Sequence, residues 1–505
     1  MLMHKKTTII FGPLFAVMLL LLPPGLAACS VPASPVRNER EVKVLSGKTA
    51  SINELEAYIA QTMDKANVAG LFCAIINDGQ MVYQKAFGFK DKRAGTLNDK
   101  ETITGAASLS KTVFAYLVMI LVEEGKLDLD RPLHEYFDKP LLEYPAYADL
   151  VGDERYKQVT ARMVLSHSTG FPNWRFLESD RRLKFLFSPG QRHSYSGEGI
   201  ALLQMAVQEI TGQDLETLAQ AQVFKPLGMT RTSYVWQEAY EANVALPHDE
   251  FGRPRKLIKR LKPDAAGSMV TTAGDYARFL VGILNAAGKR KATVDEMLRS
   301  QIAITYQQMF GPGAWKATDK NNDIHLAWGL GWGRFDSEHG RAFFHTGHDF
   351  GYQNYTVTYL DKRIGLVLLS NSDNFESVAR EIAQKAIGDK YSPFDWLGYV
   401  PFDPAIKKTP PPEPVAVEIS PTILQRYVGR YELPPDMTVH VKFENGKLYL
   451  SSDARQWDQA YAESETRFFV QGDDTRFAFV QDSGGQVVRL DIVVQGLALP
   501  AQKVK

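Results

Sequence analysis

Gly105-Ala-Ala-Ser-Leu-Ser-Lys-Thr112 leads directly into the apolar segment Val113–Val122. This segment is apolar nearly all round, which is typical of a helix buried in a large core. The pattern predicts that Ser108 lies at the start of the helix and Lys111 one turn further along. Residues three apart share a helix face, so the hydroxyl and the amine can meet.

The environment of Lys111 suggests chemistry for this pair. Burial and the positive end of the helix dipole both disfavour an ammonium, so we expect the pKa of Lys111 to fall. A fall from ~10.4 to around 7 costs about 4 kcal/mol, which a buried site can impose. A neutral lysine could then take the proton from Ser108 and make it a nucleophile. The alternative from this motif alone is a helix-capping serine beside a surface lysine.

Composition narrows the classes of function. A chain of 505 residues predicts two or three domains with a large core. Lys+Arg and Asp+Glu both number 58, so no nucleic-acid partner is expected. Cys29 and Cys73 are too few for a disulfide framework or a cysteine metal site. HExxH, P-loop and dinucleotide motifs are missing from the sequence, and we therefore expect neither a metal nor another cofactor.

The N-terminus has the pattern of an export signal. Residues 1–28 contain two lysines and then the apolar run Ile9–Leu22. The following Leu-Ala-Ala-Cys29 resembles the lipobox of bacterial lipoproteins, which implies cleavage before Cys29 and a lipid anchor on its thiol. The alternative is an ordinary signal peptide cleaved after Ala28. We expect a periplasmic, membrane-anchored protein of the bacterial envelope, and Ser30 favours the outer membrane.

The rest of the chain divides by composition. Residues 29–48 are expected to form a disordered tether, and residues 49–395 the main domain. Residues 396–420 contain Pro410-Pro411-Pro412 and predict a stiff linker. Residues 421–505 alternate apolar and polar residues, which predicts a small all-β barrel or sandwich domain.

The main domain mixes helical and strand patterns. A hairpin is predicted over residues 71–89, helices over Ile200–Ile210 and Thr272–Leu284, and several strands between Leu330 and Ser370. This order predicts a mixed α/β (α+β) fold, in which both ends of the domain complete one antiparallel sheet. Helices would flank the sheet or form a mostly helical lobe.

Two further motifs carry chemistry. His193-Ser-Tyr-Ser-Gly197 precedes a predicted helix, and Phe344-His-Thr-Gly-His348 ends a predicted strand. The glycine in the second motif suits a close approach of the backbone to a ligand. With Ser108 and Lys111 these motifs supply a nucleophile, an amine base, a phenol and a strand edge, which are the parts of an acyl-transfer site.

Taken together, these motifs resemble the serine β-lactamase and penicillin-binding-protein superfamily, in particular its class C-like branch, over roughly residues 50–390. The tail, with Tyr427-Val-Gly-Arg-Tyr431, is similar to the small β-domain often appended to such hydrolases. The motifs occur in the family order: Gly105-x-x-Ser108-x-x-Lys111, Leu165-Ser-His-Ser-Thr-Gly170, Phe187-x-Pro-Gly190, Tyr195-Ser-Gly197, Ala266-Gly-Ser-Met-Val-Thr-Thr272, Gly329-Leu-Gly-Trp332 and His345-Thr-Gly347.

The resemblance implies roles for these residues. Ser108 would attack the carbonyl, and Lys111 and Tyr195 would share the roles of general base and general acid. The backbone N–H groups of Ser108 and His348 would hold the oxyanion. The strand-edge residues His345-Thr346-Gly347 would line the substrate, with His345 facing a carboxylate or carbonyl.

Two positions depart from the family pattern. Gly197 stands where these enzymes usually have asparagine, and His345 where they usually have lysine. The first change removes an amide that bonds the substrate, and the second removes a fixed positive charge. Both point away from an efficient β-lactamase and fit the esterase and peptidase relatives better.

The sequence therefore predicts an exported serine hydrolase that forms an acyl-enzyme on Ser108 with esters or D-amino-acid peptides. One alternative is a β-lactamase or a penicillin-binding D,D-carboxypeptidase. Another is a non-catalytic lipoprotein that binds peptidoglycan, which Gly197 and His345 make conceivable. The complete serine, lysine and tyrosine set argues against a pure binding module. His167 and His193 are expected to be structural.

Overall fold

The computed structural model describes residues 40–433, 437–494 and 497–504. The predicted signal of residues 1–28 and the predicted lipid site Cys29 lie outside the described residues. Among the helices of the described part, none has the length and apolar character needed to cross a membrane.

The described secondary structure is mixed. The helices are α1 (Ile52–Lys65), α2 (Ser110–Glu123), α3 (Ala161–Leu165), α4 (Gly197–Thr211), α5 (Leu215–Ala219), α6 (Ala273–Leu284), α7 (Gly288–Met297), α8 (Glu376–Ile387), α9 (Phe394–Leu397) and α10 (Pro421–Arg426). The main domain has the strands β1 (Glu41–Lys43), β2 (Thr49–Ser51), β3 (Gly70–Asn77), β4 (Gln80–Asp91), β5 (Thr96–Leu97), β6 (Thr104–Gly105), β7 (Val270–Thr271), β8 (Ile302–Ala303), β9 (Ala327–Trp328), β10 (Gly333–Ser337), β11 (Gly340–Asp349), β12 (Tyr352–Tyr359) and β13 (Ile364–Ser370). The C-terminal strands are β14 (Gly429–Leu433), β15 (Met437–Glu444), β16 (Lys447–Ser451), β17 (Asp458–Ala462), β18 (Arg467–Val470), β19 (Arg476–Gln481), β20 (Val487–Val494) and β21 (Leu497–Val504).

One large sheet organises the main domain. Within the described residues it has nine strands in the order β5-β4-β3-β13-β12-β11-β10-β9-β8. The N-terminal hairpin joins the C-terminal strands where β3 pairs antiparallel with β13, with Cys73 opposite Leu368. This confirms the predicted α+β fold, whose sheet is completed by both ends of the domain.

The sheet separates two cores. Successive side chains of a strand point to opposite faces, so alternate residues of β3 enter different clusters. Phe72 packs in the cluster that contains α2 and α6, whereas Cys73 packs in the cluster that contains α1 and α8. Residues Val113–Leu121 of α2 are all buried, as its nearly continuous apolar sequence predicts. α2 is therefore fixed on all sides, and the residues at its N-terminus have a rigid support.

The prediction of a disordered tether over residues 29–48 is wrong for residues 40–48, the part of this segment that the structure describes. β1 and β2 form a two-stranded sheet with Val42 opposite Ala50. Val42 and Leu45 are each 1% exposed and belong to the second core. The Leu45 N–H donates to the carbonyl of Ile387 at 2.9 Å. Two apolar residues among charged neighbours are enough to dock this short segment on the end of α8.

The predicted linker over residues 396–420 begins too early. The boundary at residue 395 falls inside α9, and Trp396 is 1% exposed and packs in the second core. Residues 400–413 are exposed and form neither helix nor strand, as the proline-rich sequence suggests.

The C-terminal domain is a closed barrel of the eight strands β14–β21. β14 closes it by pairing with β21, where Arg430 lies opposite Val504. Tyr427, from the turn after α10, stacks on Phe479 inside it, with ring centroids 4.2 Å apart. The predicted all-β domain is confirmed, in its barrel form.

Candidate active site

The Ser108–Lys111 pair forms at the entrance to α2. Ser108 lies in the 3-10 turn Ala107–Leu109, two residues before the first residue of α2 and not at the helix start as predicted. Ala107 has a φ of 48°, an uncommon conformation for a residue with a side chain. The Lys111 Nζ donates to the Ser108 Oγ at 3.0 Å. The two groups therefore meet as the spacing predicts.

Lys111 is a buried cation without a carboxylate partner. Its side chain is 2% exposed, and its Nζ also donates to the carbonyl of Ala266 at 2.5 Å. Among the described residues it forms no ion pair. Burial lowers the pKa of Lys111 to about 8, and the more distant carboxylate of Asp264 partly opposes this shift. The predicted direction is confirmed, and the amine is placed to exchange a proton with Ser108.

Tyr195 is the third residue of the predicted catalytic trio. Its side chain is 6% exposed, and its ring centre lies 5.0 Å from the Lys111 Nζ. Burial raises the pKa of the Tyr195 phenol, and the nearby Ser108 hydroxyl lowers it in part. The phenol oxygen makes no well-oriented hydrogen bond within the described residues. A protonated phenol thus lies beside Ser108, and its oxygen is buried.

Uncharged imidazoles surround Tyr195. The His345 ring is 1% exposed, and its Nδ1 donates to the carbonyl of Thr346 at 2.6 Å. Burial and the nearby Lys111 lower the pKa of His345 to about 3. The neutral state that the sequence predicts is therefore present. That His345 contacts the substrate stays a prediction.

His167 and His193 have the expected structural contacts. The Ser196 N–H donates to Nδ1 of His167 at 3.2 Å, and the His167 ring centre lies 4.2 Å from that of Tyr195. His193 Nδ1 lies 2.5 Å from the hydroxyl of Tyr306. Burial lowers the pKa of both imidazoles, to about 3 for His193. His167 packs on the Tyr195 ring and His193 packs on His167, and neither adds positive charge near Lys111.

The end of β11 is pressed against the Ser108 turn. A Cβ atom at Gly347 would lie 2.4 Å from the carbonyl oxygen of Ala106, so a side chain here would push the strand away. The Asn354 side chain on β12 donates to the carbonyl of Gly105 at 3.0 Å. The glycine of the third motif is thus required by a close approach of two backbones.

His348 directs its side chain away from the trio. Its imidazole is 58% exposed and bonds Oε1 of Glu376 at 3.0 Å, which raises the pKa of His348. That the backbone N–H of His348 holds an oxyanion stays a prediction. Thr346, two positions before His348 on β11, is half-buried.

The glycine at position 197 has a packing explanation that the sequence did not give. A Cβ atom at Gly197 would lie 2.4 Å from the indole of Trp174. The Asn173 Oδ1 accepts the N–H of Gly197 at 3.0 Å. An amide group therefore still lies beside position 197, contributed by Asn173. Residues 171–180 have no periodic pattern, so nothing in the sequence connected them with the site.

Comparison with known proteins agrees with this geometry. Residues 55–389 match the family model described as Beta-lactamase. The chain belongs to the beta-lactamase family. Residues 413–502, which include the barrel, match a domain of unknown function (DUF3471). Membership identifies the protein as a hydrolase of the beta-lactamase-like family, whose members include peptidases and esterases.

Individual relatives of this beta-lactamase family member span both domains or the main domain. A penicillin-binding protein of Bacillus subtilis is 26% identical over 423 residues, which cover 78% of this chain and 86% of the relative. The esterase EstB of Burkholderia gladioli is 26% identical over 289 residues, 51% of this chain and 71% of the relative. The solved octameric penicillin-binding protein homologue from Pyrococcus abyssi has a similar fold, with a TM-score of 0.54 and 21% identity over 90% of this chain and 100% of that one.

Proposed function

We propose that the protein is an exported serine hydrolase that forms an acyl-enzyme on Ser108 with esters or D-amino-acid peptides. The observation that carries this proposal is the 3.0 Å contact between the Ser108 Oγ and the Lys111 Nζ, made by an amine that has no carboxylate partner among the described residues. A purely structural lysine would gain more from an ion pair or from solvent.

Lys111 acts as the base in this mechanism. With a pKa of about 8, about a tenth of the molecules hold the neutral amine at pH 7. The amine takes the Ser108 proton while the oxygen attacks the substrate carbonyl. The N–H groups of Ser108 and His348 bind the resulting oxyanion.

Tyr195 acts as the acid. Because burial raises its pKa, the phenol keeps its proton at neutral pH and can deliver it to the leaving group. The Lys111 ammonium then returns a proton to the phenolate. Deacylation runs the same transfers in reverse, with water in place of the leaving group.

The charge of the site favours uncharged substrates. His345 is neutral, whereas a lysine at this position would attract a carboxylate. The relative named as an esterase supports ester substrates, and another relative is named as a D-aminopeptidase. β-Lactam and D,D-carboxypeptidase substrates carry a carboxylate and are therefore the second candidate.

Intact-mass analysis tests the proposal. The purified protein is exposed to p-nitrophenyl butyrate, a penicillin and a fluorophosphonate, with Ser108→Ala as the control. We expect a mass increase that maps to Ser108 and disappears in the variant. A stable penicilloyl adduct would favour the penicillin-binding alternative. No adduct with any reagent would contradict the proposal and favour the non-catalytic binding module.

The envelope location is a separate proposal that rests on the sequence before Cys29. We infer that Cys29 carries the lipid and holds the enzyme on a bacterial membrane facing the periplasm. In cells fed a radiolabelled fatty acid, the label should enter the wild type and not Cys29→Ala. Equal labelling of both would contradict the anchor, and release of an unlabelled wild type would favour cleavage after Ala28.

A further inference from the structure

A cavity of about 250 Å³ lies beside Ser108, between the main domain and the barrel. Gly105 and Ala107, which precede Ser108 in the chain, are part of its lining. Gly472, Thr475 and Val494 of the barrel form another part. The barrel thus supplies a wall of a space that reaches Ala107, the residue before Ser108.

The lining of this cavity is mainly apolar. Its apolar lining residues include Trp236, Val244, Leu257, Ile258, Met269 and Phe350. Ile258 is 57% exposed and Phe350 is 40% exposed, although both are large hydrophobic residues. Such exposed apolar surface next to a reaction site is typical of a pocket that receives an apolar group.

The cations in the lining are already neutralised. Arg260 pairs with Asp349 at 3.0 Å, and Lys256 pairs with Asp458 of the barrel. Arg255 lies between two carboxylates, Asp373 of the main domain at 2.9 Å and a barrel aspartate at 2.8 Å. Because each of these charges has a partner, the cavity has no free cation for an acidic ligand among the described residues.

The same contacts fix the barrel as a wall. Arg255 joins Asp373 to Asp474, so one side chain links the two domains. The Lys256 N–H donates to the carbonyl of Gly472 at 2.6 Å. Backbone and charged contacts together hold the segment before β19 at a defined position above the cavity.

The position of the cavity identifies which part of a substrate would enter it. Asp349 and Phe350, which follow the oxyanion residue His348, line the cavity. Tyr195 and its ring neighbour Phe310 do not. The leaving group departs toward Tyr195, so the group on the other side of the carbonyl faces the cavity.

We infer that this cavity, lined by both domains and here called the acyl pocket, binds an uncharged apolar acyl group of the substrate. The inference rests on the proposed function and adds its substrate class. The volume lies just below the ~300–1,000 Å³ of pockets for drug-sized ligands, which suits one hydrocarbon chain or ring. The barrel is then a determinant of acyl specificity for the main domain.

The test compares p-nitrophenyl acetate with p-nitrophenyl octanoate on the full chain. Thr475→Trp fills the acyl pocket from the barrel. Thr438→Trp is the matched control, because Thr438 alternates with the inward Val439 on β15 and does not line the cavity. We expect Thr475→Trp to lower the octanoate-to-acetate ratio of kcat/KM at least fivefold, and the control to change it less than twofold.

A second variant works in the opposite direction. Trp236→Ala enlarges the acyl pocket and should move the preferred ester toward dodecanoate, an effect that unfolding cannot imitate. An unchanged chain-length profile in both Thr475→Trp and Trp236→Ala would overturn the inference. If neither ester acylates Ser108 in the wild type, the proposed function itself fails, and the mass spectrum distinguishes this result from a failed pocket.

Discussion

The two sides of the candidate active site are built differently. On one side, Ser108 and Lys111 meet through three residues of chain, and α2 holds them in a fully buried core. On the other side, the acyl pocket depends on contacts between residues more than two hundred positions apart, such as Arg255 with Asp474. The Ser108–Lys111 pair is local in sequence, whereas the wall that would select substrates is formed by tertiary contacts.

Because of this difference, we expect substitutions on the two sides to have different effects. A buried trio loses its reaction when one group is removed, because nothing nearby replaces a base or an acid. A wall held by half-exposed charges tolerates substitution, because such ion pairs contribute little to stability. We therefore expect large effects on rate from the first side and small effects on selectivity from the second.

The largest effect should come from Lys111→Met. The substitution replaces the amine with an apolar side chain of similar size and so removes the base. The kcat/KM for p-nitrophenyl butyrate should therefore fall by ~10²–10⁴. Lys126→Met is the control, since this lysine is 54% exposed after α2. A residual rate within tenfold of the wild type in a folded Lys111→Met would show that another group is the base.

Tyr195→Phe should lower the rate by about 100-fold for an ester with a poor leaving group such as an ethyl ester. For p-nitrophenyl butyrate the loss should be several times smaller, because p-nitrophenolate leaves without a proton. The ratio between the two esters is the measurement. Equal losses would mean that Tyr195 positions other groups and does not donate to the leaving group.

Gly347→Ala tests the contact between β11 and the Ser108 turn. The added methyl would lie 2.4 Å from a backbone carbonyl, so the strand must move. A misplacement of about 1 Å can cost up to ~100-fold, and we expect a 10- to 100-fold loss in kcat/KM. Gly484→Ala in a barrel turn is the control, where only a side-chain oxygen lies at 3.3 Å. Full activity in Gly347→Ala would show that β11 is not part of the oxyanion site.

The pH dependence should follow Lys111. Its pKa is lowered to about 8, so the neutral amine increases as the pH rises from 7 to 9. For a pKa of 8 this fraction grows about tenfold, and kcat/KM should rise with it. His345 and His193, with pKa values near 3, contribute no step in this range. A flat profile between pH 7 and 9 would contradict Lys111 as the base.

The sequence predicted the Ser108–Lys111 pair well and the residues that reach the site through tertiary contacts poorly. β12 and β13 lie in the region between Leu330 and Ser370 where strands are predicted, and each is one uninterrupted buried run. The Ser108 motif could be interpreted because its residues are three apart. Asn173 and the segment around Arg255 could not be assigned, because they reach the site through chain reversals that carry no periodicity. The docked end of the tether was missed for the same reason.

The smallest expected effect concerns the barrel wall. Asp474→Asn removes the barrel partner of Arg255, and Glu432→Gln is the matched control, because it breaks an exposed ion pair with Arg430 on the same barrel. Asp474 is 55% exposed, so the stability should change little.

The acetate rate of Asp474→Asn should stay within twofold of the wild type, because acetate does not reach the wall. The octanoate rate should fall two- to fivefold, since the wall is held less firmly. An equal fall in the rates for both esters would show that Asp474 stabilises the whole site and does not act on acyl selectivity. Loss confined to the longer ester would establish that one enzyme divides rate and selectivity between its two domains.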